Sequence, residues 1–411
     1  FFNQLAGKEI PNAMLWSGTF IISLLGIWAI TTLLAGSYPA IYMSRLSAKK
    51  ILSGGKIGSF WATNVRKGLV VLQFGASTLL IIGVFVIYDQ LKYIQNKDLG
   101  FDTEQVMAIS INGINDANNV KLLEQELSKL SIVSNVGSAQ GFPGKTVSGR
   151  MVQNPLEDDG GLAVQTNIAE AEALNVMGMR FIAGKNLPAN KKQGDSIVEV
   201  VVNKKIVDYL GYTPEEAIGK AIQMLPSQNA FIVGVVEDFN YASLREPIGA
   251  YAFHNFPSEY KEYVLVKMKV SDLNQSITSI ENSFKKIVPN TPFDYSFLDK
   301  NIEKLYIEEK QTASIGTIFS LLAIFVACLG LFGLATFTAE QRDKEIGIRK
   351  VLGASVSDIV VMLSKEFVKW VLISNVIAWP IAYFLLNQVL KDFAYRINIG
   401  FIPFFVAAVL A

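Results

Sequence analysis

Long uncharged apolar stretches alternate along this chain of 411 residues with stretches that carry many charged side chains. A helix that spans a membrane needs about 20 mainly apolar residues, each rising about 1.5 Å. The segments that qualify are residues 14–40, 68–88, 312–338 and 370–389, followed by the first half of another at 401–411. The polar-rich region 92–311 is long enough for one or two folded domains. The pattern predicts an α-helical integral membrane protein with a large α+β domain outside the bilayer.

The region 92–311 begins and ends with the same order of elements. A strand, a helix and a strand are predicted at its start, in residues 106–111, 118–130 and 132–139. The same order is predicted at its end, in residues 263–270, 273–288 and 292–298. Two such β-α-β units can pair into one split layer, with the β-rich middle section as an inserted subdomain. A charged helix over residues 299–310 is expected to continue into the next span as a stalk.

Composition agrees with a membrane protein, because 51% of the residues are hydrophobic and only 18% are charged, whereas soluble domains are about a quarter charged. The formal net charge of +1 argues against a nucleic-acid partner. Divided by position, however, residues 92–311 carry a net charge of −6 and the remaining residues carry +7. The near-neutral total therefore conceals two oppositely charged parts.

The short loops between the spans indicate the orientation, since Lys and Arg are retained on the cytoplasmic side. Residues 45–67 contain six basic side chains and no acidic one, and residues 339–369 contain six basic side chains. We therefore place both loops in the cytoplasm and residues 92–311 outside it.

A short amphipathic helix is predicted between the third and fourth spans. Ile348, Val351 and Leu352 share one helical face, and Glu345 and Arg349 have the i,i+4 spacing of a favourable ion pair. A glycine and a capping box are expected to end this helix and to begin the next one, at residues 353–358. On physical grounds alone, a solvated basic loop is the favoured interpretation of this segment. Its caps and apolar stripe also favour a helix that docks on a partner.

Candidate chemical sites are few. One cysteine, Cys328, excludes an intramolecular disulfide, and one histidine, His254, leaves little for zinc binding or catalysis. Residues 141–146 contain Gly-Lys-Thr but lack the earlier glycine of a phosphate-binding loop, so we expect a turn. The acidic residues 237–238 follow a strand and are expected to be solvated. We predict no catalytic, cofactor-binding or metal site, and we expect spans without a polar cluster or buried charge, unlike an ion-coupled carrier.

Three segments carry motifs of one protein family. Residues 342–354 read Arg-Asp-Lys-Glu-Ile-Gly-Ile-Arg-Lys-Val-Leu-Gly-Ala, and residues 34–45 read Leu-Ala-Gly-Ser-Tyr-Pro-Ala-Ile-Tyr-Met-Ser-Arg. Residues 231–240 read Phe-Ile-Val-Gly-Val-Val-Glu-Asp-Phe-Asn, and Ser-Leu-Arg-Glu-Pro follows at 243–247. With these motifs the chain resembles the FtsX-like/MacB-like permeases of ABC transporters, in the duplicated type with eight spans and two outer domains.

The resemblance implies a non-catalytic transmembrane subunit that works with a separate cytoplasmic ABC ATPase. In this family the amphipathic segment is the coupling helix that rests on the ATPase. Carried over position by position, the contact residues are Arg342, Lys344, Glu345, Ile346, Arg349 and Lys350. The resemblance also implies a bacterial inner membrane, with membrane lipid and a periplasmic partner or amphiphilic substrate as further partners.

The implied organisation divides the chain into five parts. They are a last span of the first permease half in 1–44, a basic linker in 45–67, a span in 68–91, a MacB-like periplasmic core domain in 92–311, and an FtsX-like permease domain in 312–411 with its coupling segment at 340–358. Because the chain begins with Phe-Phe and ends within an apolar run, we expect it to be a fragment. The remaining alternative is a membrane-bound sensor or a regulator of an extracytoplasmic cell-wall hydrolase.

Overall fold

The computed structural model describes most of the chain. The described residues are 11–44, 60–114, 116–145, 147–153, 160–188, 197–225, 228–256, 261–269 and 272–410. Residues 45–59, which make up most of the predicted basic linker, and the first ten residues lie outside this set.

The helices fall into long apolar ones and short ones. They are α1 (Asn12–Leu15), α2 (Gly18–Ser44), α3 (Phe60–Asn96), α4 (Ala117–Ser128), α5 (Ala171–Val176), α6 (Lys204–Tyr209), α7 (Pro214–Ala217), α8 (Leu273–Ile287), α9 (Leu298–Lys304), α10 (Ile307–Gln341), α11 (Asp343–Val351), α12 (Val356–Leu390) and α13 (Ile402–Leu410).

The strands all lie between α3 and α9. They are β1 (Val106–Ser110), β2 (Val133–Ala139), β3 (Ser148–Val152), β4 (Leu162–Ile168), β5 (Phe181–Gly184), β6 (Val198–Asn203), β7 (Ala221–Leu225), β8 (Gln228–Val236), β9 (Ala250–His254), β10 (Tyr263–Met268) and β11 (Tyr295–Phe297).

The chain forms two compact units. The helical unit comprises the described residues up to Leu91 together with Glu308–Lys391 and the residues from Ile397 onward. The mixed unit comprises Lys92–Ile307 and the short segment Asp392–Arg396. The helical unit contains the long apolar helices, and the mixed unit contains both β-sheets.

Three helices are long and apolar enough to cross a membrane, counting only the described residues. They are α3 over Lys67–Asn96, α10 and α12. Each contains one of the predicted spans at 68–88, 312–338 and 370–389, and the predicted span at 14–40 overlaps α2. The predicted fold class, a helical membrane protein with a large α+β domain, is confirmed.

Uncharged polar side chains join α3 to α12. The hydroxyl of Thr78 donates a hydrogen bond to Oδ1 of Asn375 (3.0 Å), and the hydroxyl of Ser374 donates to the backbone oxygen of Val71 (3.0 Å). Thr78, Ser374 and Asn375 are buried. The expectation of spans without a polar cluster is therefore wrong. Polar groups in a bilayer must find their partners within the protein, so these bonds specify how the two helices pair.

The split sheet of the mixed unit has the strand order β11-β1-β10-β2, and every neighbouring pair is antiparallel. This is the order of a split β-α-β layer built from two β-α-β units, as the sequence predicts. Met107 and Ile109 of β1 face a core that includes side chains of α4 and α8. Val106 and Ala108 face a second core on the other side. Both faces are buried, which explains why β1 has a continuous apolar sequence.

The inserted sheet contains the remaining strands in the order β3-β4-β9-β6-β8-β5, and β7 also pairs with β8. A single bridge between Gln153 and Gln223 brings the β3 and β7 ends of this sheet together. The curled sheet encloses a core made largely of valines from β4, β6 and β8 with Ile206, Val207 and Leu210.

The two sheets meet where α5 lies on β2. Gly137 of β2 makes this close approach possible, because a Cβ atom there would lie 2.3 Å from the backbone nitrogen of Ala173. Next to this contact, Ala139 forms a bridge with Ala169. The residues around it form a shared core, which we call the junction core; its aromatic members include Phe101, Phe142, Phe239, Tyr251 and Phe253.

The predicted continuous stalk is interrupted. α9 ends at Lys304 and α10 begins at Ile307. Between them the backbone N–H groups of Leu305 and Tyr306 bond to carbonyls three residues back, which is a tighter turn than an α-helix. The Tyr306 side chain is buried, and its hydroxyl accepts the backbone N–H of Leu244 (2.7 Å). This tertiary contact holds the turn.

A buried carboxyl group lies near the junction of the two sheets. One carboxyl oxygen of Glu124, on α4, is buried without a hydrogen-bond partner among the described residues. Its neighbour Glu170, just before α5, forms an ion pair with Lys261. Burial, and after it the negative charge of Glu170, raises the pKa of Glu124 from its ordinary 4.5 to about 7.

We expect Gly137→Ala to lower the stability of the mixed unit by about 1–3 kcal/mol, since the added methyl group collides with the backbone of α5. The melting temperature should fall by about 2–4 °C per kcal/mol in a unit of this size. Thermal unfolding of the full chain in detergent, followed by circular dichroism, measures the change. Gly149→Ala is the matched control, because no atom lies within 4 Å of its Cβ position. Equal melting temperatures for the two variants would contradict the close approach.

The mixed unit should become less stable as the pH rises from about 4.5 to about 7. A carboxyl group whose pKa is raised by folding makes its full contribution to folding stability below its unfolded pKa. That contribution is lost as the pH rises through its folded pKa. Glu124→Gln should remove this part of the pH dependence, whereas Glu215→Gln, an exposed glutamate of α7, should leave it unchanged. Melting temperatures recorded across this range test the prediction, and a wild-type profile parallel to that of Glu124→Gln would refute it.

Candidate functional site

α11 is the short helix that follows α10. It has no buried residue along its length. Its apolar side chains are among the most exposed of the described residues: Ile348 is 62% exposed, Val351 is 88% exposed and Leu352, just after the helix, is 80% exposed. Scattered exposed apolar residues are common, but adjacent ones on one helical face indicate a binding surface.

Charges at the two ends of α11 stabilise it in the absence of a buried face. Asp343 and Glu345 lie in the first turn, and Arg349 and Lys350 lie in the last turn. Each pair complements the helix dipole at its end. Glu345 and Arg349 also form an ion pair of 2.8 Å, as their spacing predicts.

The end of α11 and the start of α12 have the predicted caps. Gly353 has φ of +94°, the left-handed conformation that favours glycine, and the N–H of Ala354 bonds to the carbonyl of Arg349 (2.9 Å). The hydroxyl of Ser355 accepts the N–H of Asp358 (3.2 Å), and the Asp358 carboxylate accepts the N–H of Ser355 (3.0 Å). Both caps are local, so α11 keeps its conformation without burying its apolar face.

The six predicted contact residues all lie on α11 or at its N-cap. Lys344, Glu345, Arg349 and Lys350 are exposed, whereas Arg342 and Ile346 are half-buried. The guanidinium of Arg349 also contacts the sulfur of Met362 on α12. The most exposed apolar residues of this region are Val351 and Leu352. The sequence predicts them on the apolar stripe, but the predicted contact residues do not include them.

The other motifs considered for chemistry have structural roles. Residues 142–145 form a turn closed by a bond from the Lys145 N–H to the Phe142 carbonyl (2.9 Å), as predicted. His254 is buried and its Nδ1 accepts the N–H of Phe256 (3.3 Å). Asp238 accepts the N–H of Lys205 (2.9 Å) at the start of α6. In the part of the chain that the structure describes, no group of three or more His, Cys, Asp or Glu side chains is arranged to hold a metal ion.

Comparison with solved structures finds domains of membrane transporters. The chain is similar to the periplasmic region of MacB from Actinobacillus actinomycetemcomitans, with 13% identity over 51% of this chain and 97% of that chain and a TM-score of 0.35. It is also similar to the extracellular domain of the ABC-type transporter YknZ from Gram-positive bacteria. The identity is 10% over 47% of this chain and 98% of that chain, and the TM-score is 0.31. A domain of a permease protein from Porphyromonas gingivalis is similar as well, with 14% identity over 48% of this chain and 90% of that chain and a TM-score of 0.30.

Comparison by sequence places one part of the chain in a family. Among curated proteins none matches the chain. The family model described as FtsX-like permease C-terminal matches residues 317–411. The match includes most of α10 and all of α11, α12 and α13. The resemblance that residues 342–354 indicated is thus confirmed for the C-terminal part of the chain, where residues 317–411 match the FtsX-like permease C-terminal model.

Proposed function

We propose that this chain is the transmembrane permease subunit of an ABC transporter and that a separate cytoplasmic ATPase drives it. The observation that carries the proposal is the exposed apolar face of α11, which lies inside the FtsX-like match. Burying a large aliphatic side chain is favourable by about 1.5–3 kcal/mol. Three such side chains held in water by a capped helix therefore fit a surface that a partner covers.

The proposed ATPase contact has an apolar centre and a charged rim. Ile348, Val351 and Leu352 form the centre. The rim is formed by the exposed residues Lys344, Glu345, Arg349 and Lys350. This arrangement is typical of protein interfaces, in which a desolvated apolar centre supplies affinity and the charged rim supplies orientation.

The basic loops support a cytoplasmic position for α11 and an extracytoplasmic position for the mixed unit. Lys and Arg are retained on the inner side of a membrane, and both 45–67 and 339–369 carry six of them. The mixed unit, in contrast, comes from a region with a net charge of −6. We propose a multi-pass protein of a bacterial inner membrane on this basis.

In this proposal the chain itself is non-catalytic and binds no cofactor. The ATPase hydrolyses ATP, and its closure moves α11 and the helices joined to it. The mixed unit receives this movement and uses it to extrude an amphiphilic substrate or to act mechanically on a periplasmic partner.

Membrane lipid is the second partner we propose. A shallow, open groove of about 580 Å³ lies along one face of α12 and is lined by residues of that helix alone: Val361, Ser364, Lys365, Val368, Lys369, Leu372, Ile373, Val376 and Ile377. Lys365 and Lys369 lie one helical turn apart near one end, and the rest of the groove is almost entirely aliphatic. This combination fits an anionic phospholipid, with its headgroup on the lysines and an acyl chain along the helix.

Exchanging the charges of Glu345 and Arg349 tests the ATPase contact. The double variant Glu345→Arg/Arg349→Glu keeps an i,i+4 ion pair in α11 but reverses the charges that a partner meets. We expect it to reduce copurification of the cognate ATPase at least tenfold and to abolish ATP hydrolysis stimulated by the permease. The same exchange at Glu281 and Lys285, an exposed i,i+4 pair of α8, should have no effect. Normal ATPase binding by the α11 variant would show that these charges do not contact a partner.

Anionic lipid should stabilise the chain through Lys369. We expect the wild-type melting temperature to be higher in nanodiscs that contain phosphatidylglycerol than in pure phosphatidylcholine, and Lys369→Ser to lose most of this difference. Lys391→Ser, which removes one positive charge just after the other end of α12, should keep it. An equal lipid effect in the two variants would mean that the groove has no preference for anionic lipid.

A further inference from the structure

The mixed unit includes a segment that belongs by sequence to the membrane helices. Asp392–Arg396 lies between α12 and α13, yet it is part of the same compact unit as Lys92–Ile307. The chain therefore passes between the two units near the end of α3, between Leu91 and Lys92, at the start of α10, between Ile307 and Glu308, and on both sides of Asp392–Arg396. This segment lies outside the region 92–311 from which the sequence predicts the folded domain.

One loop of the mixed unit forms hydrogen bonds to Leu99, to Tyr306 and to the segment Asp392–Arg396. This loop, residues 240–245, follows β8; we call it the anchoring loop. At its start the N–H of Asn240 donates to the carbonyl of Leu99, shortly after α3 (2.8 Å). Further along, the N–H of Leu244 donates to the hydroxyl of Tyr306, immediately before α10 (2.7 Å). Leu244 and Tyr306 are both buried, so this bond is protected from water.

The anchoring loop also holds the segment Asp392–Arg396. The N–H of Ala394 donates to the carbonyl of Arg245 (2.9 Å), and the N–H of Tyr395 donates to the carbonyl of Leu244 (3.2 Å). The guanidinium of Arg245 lies 5.1 Å from the ring centre of Phe393, which is buried. The bonds involve consecutive residues on both sides, so they define a register between the loop and the segment.

A second cation also contacts the segment Asp392–Arg396. The ammonium of Lys97, just after α3, lies 4.6 Å from the ring centre of Tyr395. Cation–ring contacts of this length are attractive and also orient the two side chains. Immediately after the segment, the N–H of Ile397 donates to Oε1 of Gln90 on α3 (2.9 Å). The end of α3 and the α12–α13 connection are thus bonded at two successive points.

The anchoring loop is built into the rigid part of the mixed unit. Its neighbour Phe239 is fully buried and stacks on Phe253 with ring centres 5.9 Å apart. Tyr241 of the loop contacts the ring of Tyr251 at 4.7 Å, and its carbonyl accepts the N–H of Gly144 (2.7 Å). A loop bonded to the junction core in this way moves with both sheets of the unit.

We infer that the anchoring loop is the point at which movement of the membrane helices is passed to the mixed unit, and that Arg245, Tyr306 and Phe393 are its positioning residues. This inference rests on the proposed permease function. At Leu305 and Tyr306 the stalk tightens into a turn, and the Tyr306 hydroxyl accepts the N–H of Leu244, so the start of α10 is attached to this loop. The α12–α13 connection supplies a second attachment to the same loop. A movement of either α10 or the α12–α13 pair therefore acts at one site.

The attachment itself can be measured without an ATPase. In the full chain in nanodiscs, the amides of Ala394 and Tyr395 should exchange with solvent deuterium at least 100-fold more slowly than unstructured amides. The variant Arg245→Ser/Phe393→Ser should lose this protection, and Arg245→Lys, which keeps a cation over the ring, should retain most of it. Lys220→Ser removes a comparable contact to Tyr212 elsewhere in the mixed unit and serves as the control. Unprotected amides at both positions in the wild type would overturn the attachment.

The transmitting role is tested with the cognate ATPase. Addition of ATP should change the hydrogen exchange of β6, β8 and β9 in the wild type, in Arg245→Lys and in Lys220→Ser. Arg245→Ser/Phe393→Ser should bind the ATPase as the wild type does but lose this ATP-dependent change. A full response in that variant would overturn the role of the loop. If the wild type does not bind the ATPase at all, the proposed function fails and the transmitting role fails with it, while amide protection still reports the attachment.

Discussion

A bilayer offers no hydrogen-bond partners, and this constraint shapes the whole chain. Backbone groups in the apolar segments must bond within the same helix, so α3, α10 and α12 run without interruption over 30 residues or more. Turns, sheets and most charges are confined to the mixed unit and to short connections. The chain passes from one unit to the other near the end of α3, at the start of α10 and on both sides of Asp392–Arg396.

The mixed unit is suited to receive such movement as one body. Its split sheet and inserted sheet share the junction core, and Gly137 allows α5 to lie directly on β2. The ring of Tyr241, which contacts the rings of Phe239 and Tyr251, extends this core to the anchoring loop. A unit with two sheets but no shared core would deform at the junction, and displacement at the anchoring loop would then stop at the nearer sheet.

α11, in contrast to the mixed unit, is stabilised by local interactions. It is stabilised by its own caps, its terminal charges and the Glu345–Arg349 ion pair, and it has no buried residue. Such a helix is already folded before a partner binds. Its apolar side chains can therefore be buried without the loss of conformational entropy that ordering a flexible segment requires. This explains how a nine-residue helix can serve as the input of the proposed mechanism, while the anchoring loop serves as its output.

The sequence by itself determined the features that depend on neighbouring residues. Periodicity and length predict the spans, the split β-α-β layer and α11, and the Ser355–Asp358 capping box is recognisable because its two residues are three positions apart. Tertiary structure alone decided the rest: the Thr78–Asn375 bond, the raised pKa of Glu124, the turn at Tyr306 and the place of Asp392–Arg396 in the mixed unit. Each of these depends on groups that folding brings together from distant parts of the chain, as when Leu244 meets Tyr306 and Arg245 meets Ala394, and no local pattern records such contacts.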